Sequence, residues 1–411
     1  MADDRTSIAP ATRGLRPRCA FLPLTGVRVA DFSFMLAAPT ATMLLSTLGA
    51  EVIRIESKRR VDFLRRRYPP NFNDLNLNKL SATLDLTQPQ AVALAKRIVA
   101  VSDVVVDSFR PRVMPKLGLS YADLRKVRPD VIYCALSGFG GAGPEANFAT
   151  YAAIFSAMGG LAHITGWPDG IPTELRGTID LTTAMGVAFA ILPALVHRKR
   201  TGQGQHIDLS ARELFTCHMG ETVLDYTMNG REQGRTGNAD PVMAPHGVYP
   251  CKGEPPAWVS VAVATDEEFR ALSQALGQPA LADDPRFRNG PDRWKNQEAL
   301  DAIIADWTKD CTDYEVTETL QKVGVAAFPV MSGKEVWEDP HLRERRLYTQ
   351  VEHAELGRRW VVRPPWRFNL TPPETRRAAP LMGEHNAYVF GEVLGMEEGD
   401  IKRLEAERAI Y

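Results

Sequence analysis

Asp180 stands in Arg176-Gly177-Thr178-Ile179-Asp180-Leu181-Thr182-Thr183, directly ahead of the apolar run Ala184 to Val196. An aspartate before an apolar helix ordinarily caps it, its oxygen accepting a backbone N–H. With Gly159-Gly160 and Gly177 letting backbone approach closely, the same carboxylate can instead attack a thioester. The local pattern leaves both roles open. Gly138-Phe139-Gly140-Gly141-Ala142-Gly143 spells GxGxxG after a candidate strand. Pro144 follows, however, and no strand ending in an acidic residue comes about twenty residues later, as a dinucleotide site requires. The segment reads as a surface turn, or as a loop closing over a reacting acyl group. None of the eight histidines falls in HExxH or another paired spacing, which argues against metal chemistry. Ser137 lacks the glycine two residues before it that a nucleophile elbow needs. The basic run Ser57-Lys58-Arg59-Arg60, with Arg65-Arg66-Arg67, follows the end of a strand. It is either a solvated charge run or a set of phosphate donors at the edge where open α/β sheets bind ligands.

The elements that must position these residues alternate in type. Short apolar runs at Val27 to Asp31, Glu51 to Ile55, Val104 to Asp107 and Val131 to Ala135 are separated by helical patterns at Ala38 to Leu48 and Ala91 to Val101. That alternation implies right-handed βαβ units and a parallel sheet, an α/β class of Rossmann-like architecture. A glycine-rich stretch from Asn229 to Asn238 marks an exit from this region. Strand candidates at Gly247 to Cys251 and Trp258 to Val263 follow, with helical patterns at Asp266 to Leu276, Lys295 to Asp306 and Asp313 to Val323, reading as a small α+β domain. The expected organisation is therefore a flexible tail over 1–22, a large domain over 23–228, a small domain over 229–330, and a return segment over 331–411 that packs on the large domain.

A chain of 411 residues is long enough for two domains with ample core. Its 49 basic and 50 acidic side chains leave a net charge of -1, so no global field exists to hold nucleic acid or an anionic membrane. Ala184 to Val196 is shorter than the ~20 residues of a bilayer span and contains Pro193, so it reads as a buried core helix and not a membrane anchor. The five cysteines show no CxxC spacing, which favours a reducing compartment, the cytoplasm.

One family shares these features in order along nearly the whole chain. The segments are Leu24 to Asp31, Leu48-Gly49-Ala50-Glu51-Val52-Ile53-Arg54-Ile55-Glu56, Asn78-Lys79, Asp107-Ser108-Phe109-Arg110-Pro111 and Leu136 to Gly140. Thr165-Gly166 through Asp180, Arg198 to Gln205, Gly237-Asn238, Ala244 to Tyr249 and Pro380 to His385 complete the set. In this order the chain resembles the class III, carnitine dehydratase-like and formyl-CoA transferase-like, CoA-transferases.

The resemblance implies that Asp180 is the nucleophile, passing through an aspartyl-CoA thioester, with coenzyme A as a substrate and no cofactor. Lys58 and Arg59 of the basic run are the candidate phosphate donors for CoA, and the resemblance adds Lys79, Ser108, Phe109 and Lys116, with Tyr151, near it; Gly138 and Gly140 belong to the loop over the reacting acyl group, and the resemblance makes Gly234, Gly237 and Asn238 part of a loop that shields the intermediate from water. It implies acyl-CoA and carboxylic acid partners and a ring-shaped chain in an interlocked homodimer, or a heteromer with a homologous subunit. Two other activities share the fold: acyl-CoA racemase, and a non-catalytic subunit of a heteromeric transferase. Racemases of the family pair the aspartate with a histidine four residues before the Tyr151 position. Here that residue is Asn147, and Ala152 stands where many transferases are acidic. Arg231, Arg235 and the arginine-rich stretch suggest a dicarboxylate donor such as succinyl-CoA, and a dicarboxylic acceptor such as benzylsuccinate.

Overall fold

Six short runs of largely apolar residues form one sheet: β1 (Arg28–Asp31), β2 (Glu51–Glu56), β3 (Leu80–Thr83), β4 (Val104–Asp107), β5 (Ile132–Ser137) and β6 (His206–Ser210). Their order is β3-β2-β1-β4-β5-β6, with every pair parallel. This computed structural model describes residues 21–175 and 177–411. Apart from Phe21 and Leu22, the tail expected over 1–22 lies outside the described residues, as does Arg176. Val104, Val105 and Val106 are fully buried, as a central parallel strand covered on both faces must be. On one face the Pro89–Ala100 helix packs Ala91, Leu94, Ala95 and Ile98, joined by Val389, Phe390, Ala409 and Ile410. On the other, Ala38, Ala41 and Leu45 of the Ala37–Thr47 helix meet Ala184, Val187, Ile191 and Ala194 of the Thr178–Thr201 helix.

The chain forms two compact units. The first takes residues up to Ala149, Asp180–Ala211 and Leu347–Tyr411; the second takes Thr150–Ile179 and Arg212–Arg346. These limits differ from the boundaries expected at 229 and 331, and 150–179 joins the second unit, because contact density and not glycine content sets where a unit ends. In the second unit β7 (His246–Pro250), β8 (Trp258–Ala262) and β9 (Ala326–Pro329) form an antiparallel sheet. Val259, Val261 and Ala327 turn to a core with Phe269, Leu272, Ile304 and Leu320. Thr265 and Thr312 start its Asp266–Ala275 and Asp313–Lys322 helices with capping boxes to Glu268 and Glu315. Back in the first unit, the hairpin β10 (Tyr348–His353) and β11 (Gly357–Val362) buries Val351 and Val361 against Met43 and Leu44.

The Thr178–Thr201 helix is longer than the apolar run that announced it, and by length and composition alone it could cross a membrane. One face packs in the core, as expected. The other does not: Leu181, Met185, Phe189 and Val196 recur at helical spacing and are exposed, Phe189 by 75%.

Candidate active site

Asp180 is the third residue of the Thr178–Thr201 helix. It is therefore inside the first turn and not at the cap, and Gly177, at φ +75°, precedes the helix. No hydrogen bond or ion pair reaches its carboxylate from the described residues. Burial pushes its pKa up to about 6, against the ordinary 3.8. A partly desolvated carboxylate without a hydrogen-bonding partner is a stronger nucleophile than one tied to backbone amides, and at neutral pH it is still mostly ionised.

The sheet order reverses between β1 and β4, and this is where an open α/β sheet leaves a crevice at the carboxyl ends of its strands. A cavity of about 270 Å³ opens there. Phe32, Ser33 and Phe34 after β1, Phe109 after β4, and Val113 and Leu117 give it an apolar lining, while Arg59 and Arg60 edge it. Met35 takes φ +67°, and its N–H donates to Asp62 at 3.0 Å. Phe34 N–H donates to Ser108 Oγ at 2.9 Å. The Ser108 bond joins the β1 and β4 loops as the two lips of the crevice, and the Asp62 bond ties the β1 loop to the segment after β2. Arg60 lies 5.1 Å from the Phe34 ring and 5.9 Å from that of Phe109, and no carboxylate among the described residues pairs with it. An apolar slot edged by a free guanidinium suits a nucleotide base with phosphates. Arg60 was visible in the basic run, but only the fold separates it from its neighbours.

A second, more open cavity of about 450 Å³ joins Arg112 and Lys116 to Gly141–Gly143, Ala146 and Asn147. The glycine loop is tied down there: Gly141 N–H donates to both oxygens of Asp208, at 2.9 and 2.8 Å, and Gly140 takes φ +81°. Gly138 begins this loop directly after β5.

Several expected ligands have other work. Lys79 is fully buried, and its ammonium donates to Asp31 at 2.9 Å, Pro39 O at 2.8 Å and Asn76 Oδ1 at 2.9 Å. All three donors are spent, so it is a structural cation and not a CoA contact. The Ser108 hydroxyl is used between the two loops, accepting from Phe34 N–H and donating to Phe34 O at 3.3 Å. Lys58 sits 5.5 Å from the Tyr411 ring, beside the first cavity. Tyr151 belongs to the second unit, where it is 72% exposed ahead of the Ala152–Met158 helix.

Gly234, Gly237 and Asn238 also lie in the second unit. Gly237 N–H donates to Gly166 O at 2.9 Å, and at φ +63° a Cβ there would meet the Trp167 ring at 2.5 Å. Asn238 O pairs with His246 Nδ1 at 2.6 Å. Arg231 Nε is bound to Asp225 at 2.6 Å, while Arg235 gives Nε to Trp167 O at 3.1 Å and Nη1 to His163 O at 3.3 Å. Both arginines anchor this loop instead of standing free for a substrate carboxylate. These two arginines therefore lend the dicarboxylate expectation no support, and its other ground, the arginine-rich stretch, does not depend on them.

A desolvated carboxylate at a helix start and a basic-edged crevice on a doubly wound sheet are features that group transfer from a nucleotide-bearing substrate would use. The profile of CoA-transferase family III matches residues 24–386, and the chain belongs to that family of enzymes. It is 35% identical to succinyl-CoA–D-citramalate CoA-transferase of Chloroflexus aurantiacus, over 94% of this chain and 98% of the relative. It is 33% identical to succinate–glutarate CoA-transferase of Agrobacterium fabrum, over 91% and 96%. Among solved structures, a CaiB/BaiF family protein from Brucella suis superposes with a TM-score of 0.82 at 31% identity, over 91% of this chain and all of that one.

Proposed function

We propose that this CoA-transferase moves CoA from succinyl-CoA to a dicarboxylate through a covalent intermediate on Asp180. The observation that carries the mechanism is the desolvated Asp180 carboxylate, without a hydrogen-bond partner among the described residues, in the first turn of its helix. Its oxygen attacks the acyl carbonyl, the C–S bond breaks, and a mixed anhydride and CoA thiolate result. The thiolate attacks the aspartyl carbonyl and expels the donor acid, leaving aspartyl-CoA. The acceptor carboxylate then attacks that thioester, and the returning thiolate takes the new acyl group and frees Asp180. Each step exchanges one acyl bond for another, so no redox or metal chemistry is called on. The nucleotide end of CoA occupies the β1/β4 crevice, with Arg60, Phe109 and Arg59 around it, and Arg112 and Lys116 supply further cations for its phosphates. The dicarboxylate preference is supported by the relatives that act on citramalate and glutarate.

The test is a matrix of CoA donors against acids, read by mass spectrometry. Succinyl-CoA with citramalate, glutarate or benzylsuccinate is expected to give product, and neutral hydroxylamine is expected to trap a modification on Asp180 in the presence of donor alone. Turnover confined to monocarboxylates would remove the substrate reading, and the absence of any Asp180 adduct would remove the mechanism.

We also propose that the functional unit is an interlocked homodimer of ring-shaped chains. In support, the stripe Leu181, Met185, Phe189 and Val196 is exposed in the single chain, and a contiguous apolar face of this kind is characteristic of an interface. Sedimentation of the purified chain at micromolar concentration is expected to give a dimer. A monomer would point instead to a homologous second subunit.

A further inference from the structure

The cations at the edge of the β1/β4 crevice are long and exposed, yet they do not stand alone. Arg59 is 65% exposed, but its Nε pairs with Asp85 at 3.1 Å, and its Nη1 donates to Thr87 Oγ1 at 3.2 Å. The Thr87 hydroxyl in turn donates to Asp85 at 2.6 Å. Asp85 itself is buried. Against this group lies Tyr411, from the far end of the sequence. Its ring is 5.5 Å from the Lys58 ammonium.

Core packing determines where that ring sits. Ala409 and Ile410 are fully buried in the cluster under β2 and β3, and Asp85 N–H donates to Ala409 O at 3.0 Å. Tyr411 O accepts from Thr83 Oγ1 and Asn386 Nδ2, both at 2.8 Å. The phenol is therefore fixed, whereas Lys58, which faces its ring, would otherwise sample solvent. Holding a flexible cation in its binding geometry before the ligand arrives removes part of the ordering cost from the binding step.

We propose that Tyr411 is a positioning residue for CoA, holding Lys58 at the crevice edge where the phosphates of the substrate bind. This rests on the reading of the crevice as the CoA site. Lys58 has no carboxylate partner among the described residues, so the ring orients its charge without neutralising it.

Three variants test the idea with the purified enzyme and succinyl-CoA as the varied substrate. Tyr411→Ala is expected to raise KM about fivefold, with kcat within about twofold of the parent. Tyr411→Phe, which keeps the ring, is expected to lie between the two. The slope of log KM against log salt should be shallower in Tyr411→Ala, because Lys58 no longer stands preset for phosphate. Arg60→Ala and Phe109→Ala probe the crevice independently. If these two raise KM and Tyr411→Ala changes neither KM nor salt slope, Tyr411 has no positioning role, and the crevice reading stands. If none of the variants raises KM, CoA binds elsewhere, and both readings are lost. A Tyr411→Ala protein that loses thermal stability and kcat together, with KM and salt slope unchanged, would show a purely structural residue and overturn the proposal.

Discussion

Asp180→Asn is expected to lower the rate of CoA transfer by at least about 10³-fold, the scale on which removing a covalent nucleophile acts. The substitution keeps the size and removes the attacking charge. Residual turnover within tenfold of the parent would sink the aspartyl mechanism. Stability should move differently from activity. An aspartate in the unfolded chain holds its proton up to the ordinary 3.8, whereas burial raises the folded value to about 6. Between those values the native state binds more protons, so this residue lowers stability as pH rises through the window and the cost stays constant above it. At pH 7.5 the Asn variant, free of that cost, is expected to melt no lower than the parent. The same shift sets the acid limb of the parent's pH–rate profile. Because the ionised form attacks, kcat/KM should fall about tenfold per pH unit below about 6, and not below 4 as for an ordinary aspartate. The two measurements separate a nucleophile from a structural carboxylate, since loss of a structural group would lower melting temperature and activity together.

Lys79→Ala is expected to cost about 3–5 kcal/mol of folding stability, measured by urea denaturation, because it leaves Asp31 charged and buried without its closest cation. Asp31 and Lys79 are both fully buried. The Asp31 carboxylate also accepts from Ser33 N–H at 2.9 Å, from the Ser33 hydroxyl, and from Thr42 Oγ1 at 2.7 Å. Burial pulls the Lys79 ammonium down to about 8, which still leaves it charged at neutral pH. Arg54 extends the network to Asp62 at 2.6 Å and Asn76 at 3.0 Å, and Asp62 holds the Met35 N–H at the lip of the crevice. Pairing Lys79→Met with Asp31→Asn should recover much of the loss, since an apolar group facing a neutral amide removes the stranded charge. A single Lys79→Ala variant within 1 kcal/mol of the parent would mean that water or a rearranged Arg54 replaces the ammonium.

The strands at 27–31, 51–55, 104–107 and 131–135 were legible because each is a short apolar run between helical patterns, and buried parallel strands leave that trace. β3 and β6 were not read. Leu80-Ser81-Ala82-Thr83 and His206-Ile207-Asp208-Leu209-Ser210 carry polar residues whose partners lie far along the chain, such as Asn386 for Thr83 and Gly141 for Asp208. The unit boundaries escaped for a related reason: no change of composition marks 150, 212 or 347, because what separates the units is which side chains they pack against.

Strand period and turn glycines, which are local properties of the sequence, sufficed to place the parallel sheet, while the family, and through it Asp180 as the residue to watch, came from the resemblance carried by the order of motifs along the chain. The chemistry of individual charges was decided only by tertiary structure. Lys79, Arg231 and Arg60 are all basic residues near glycine or strand ends, yet the fold buries the first on Asp31, ties the second to Asp225 and leaves the third open over Phe34 and Phe109. Whether a cation can meet a ligand depends on whether its donors are already satisfied, and those partners are brought together from distant parts of the chain only when it folds.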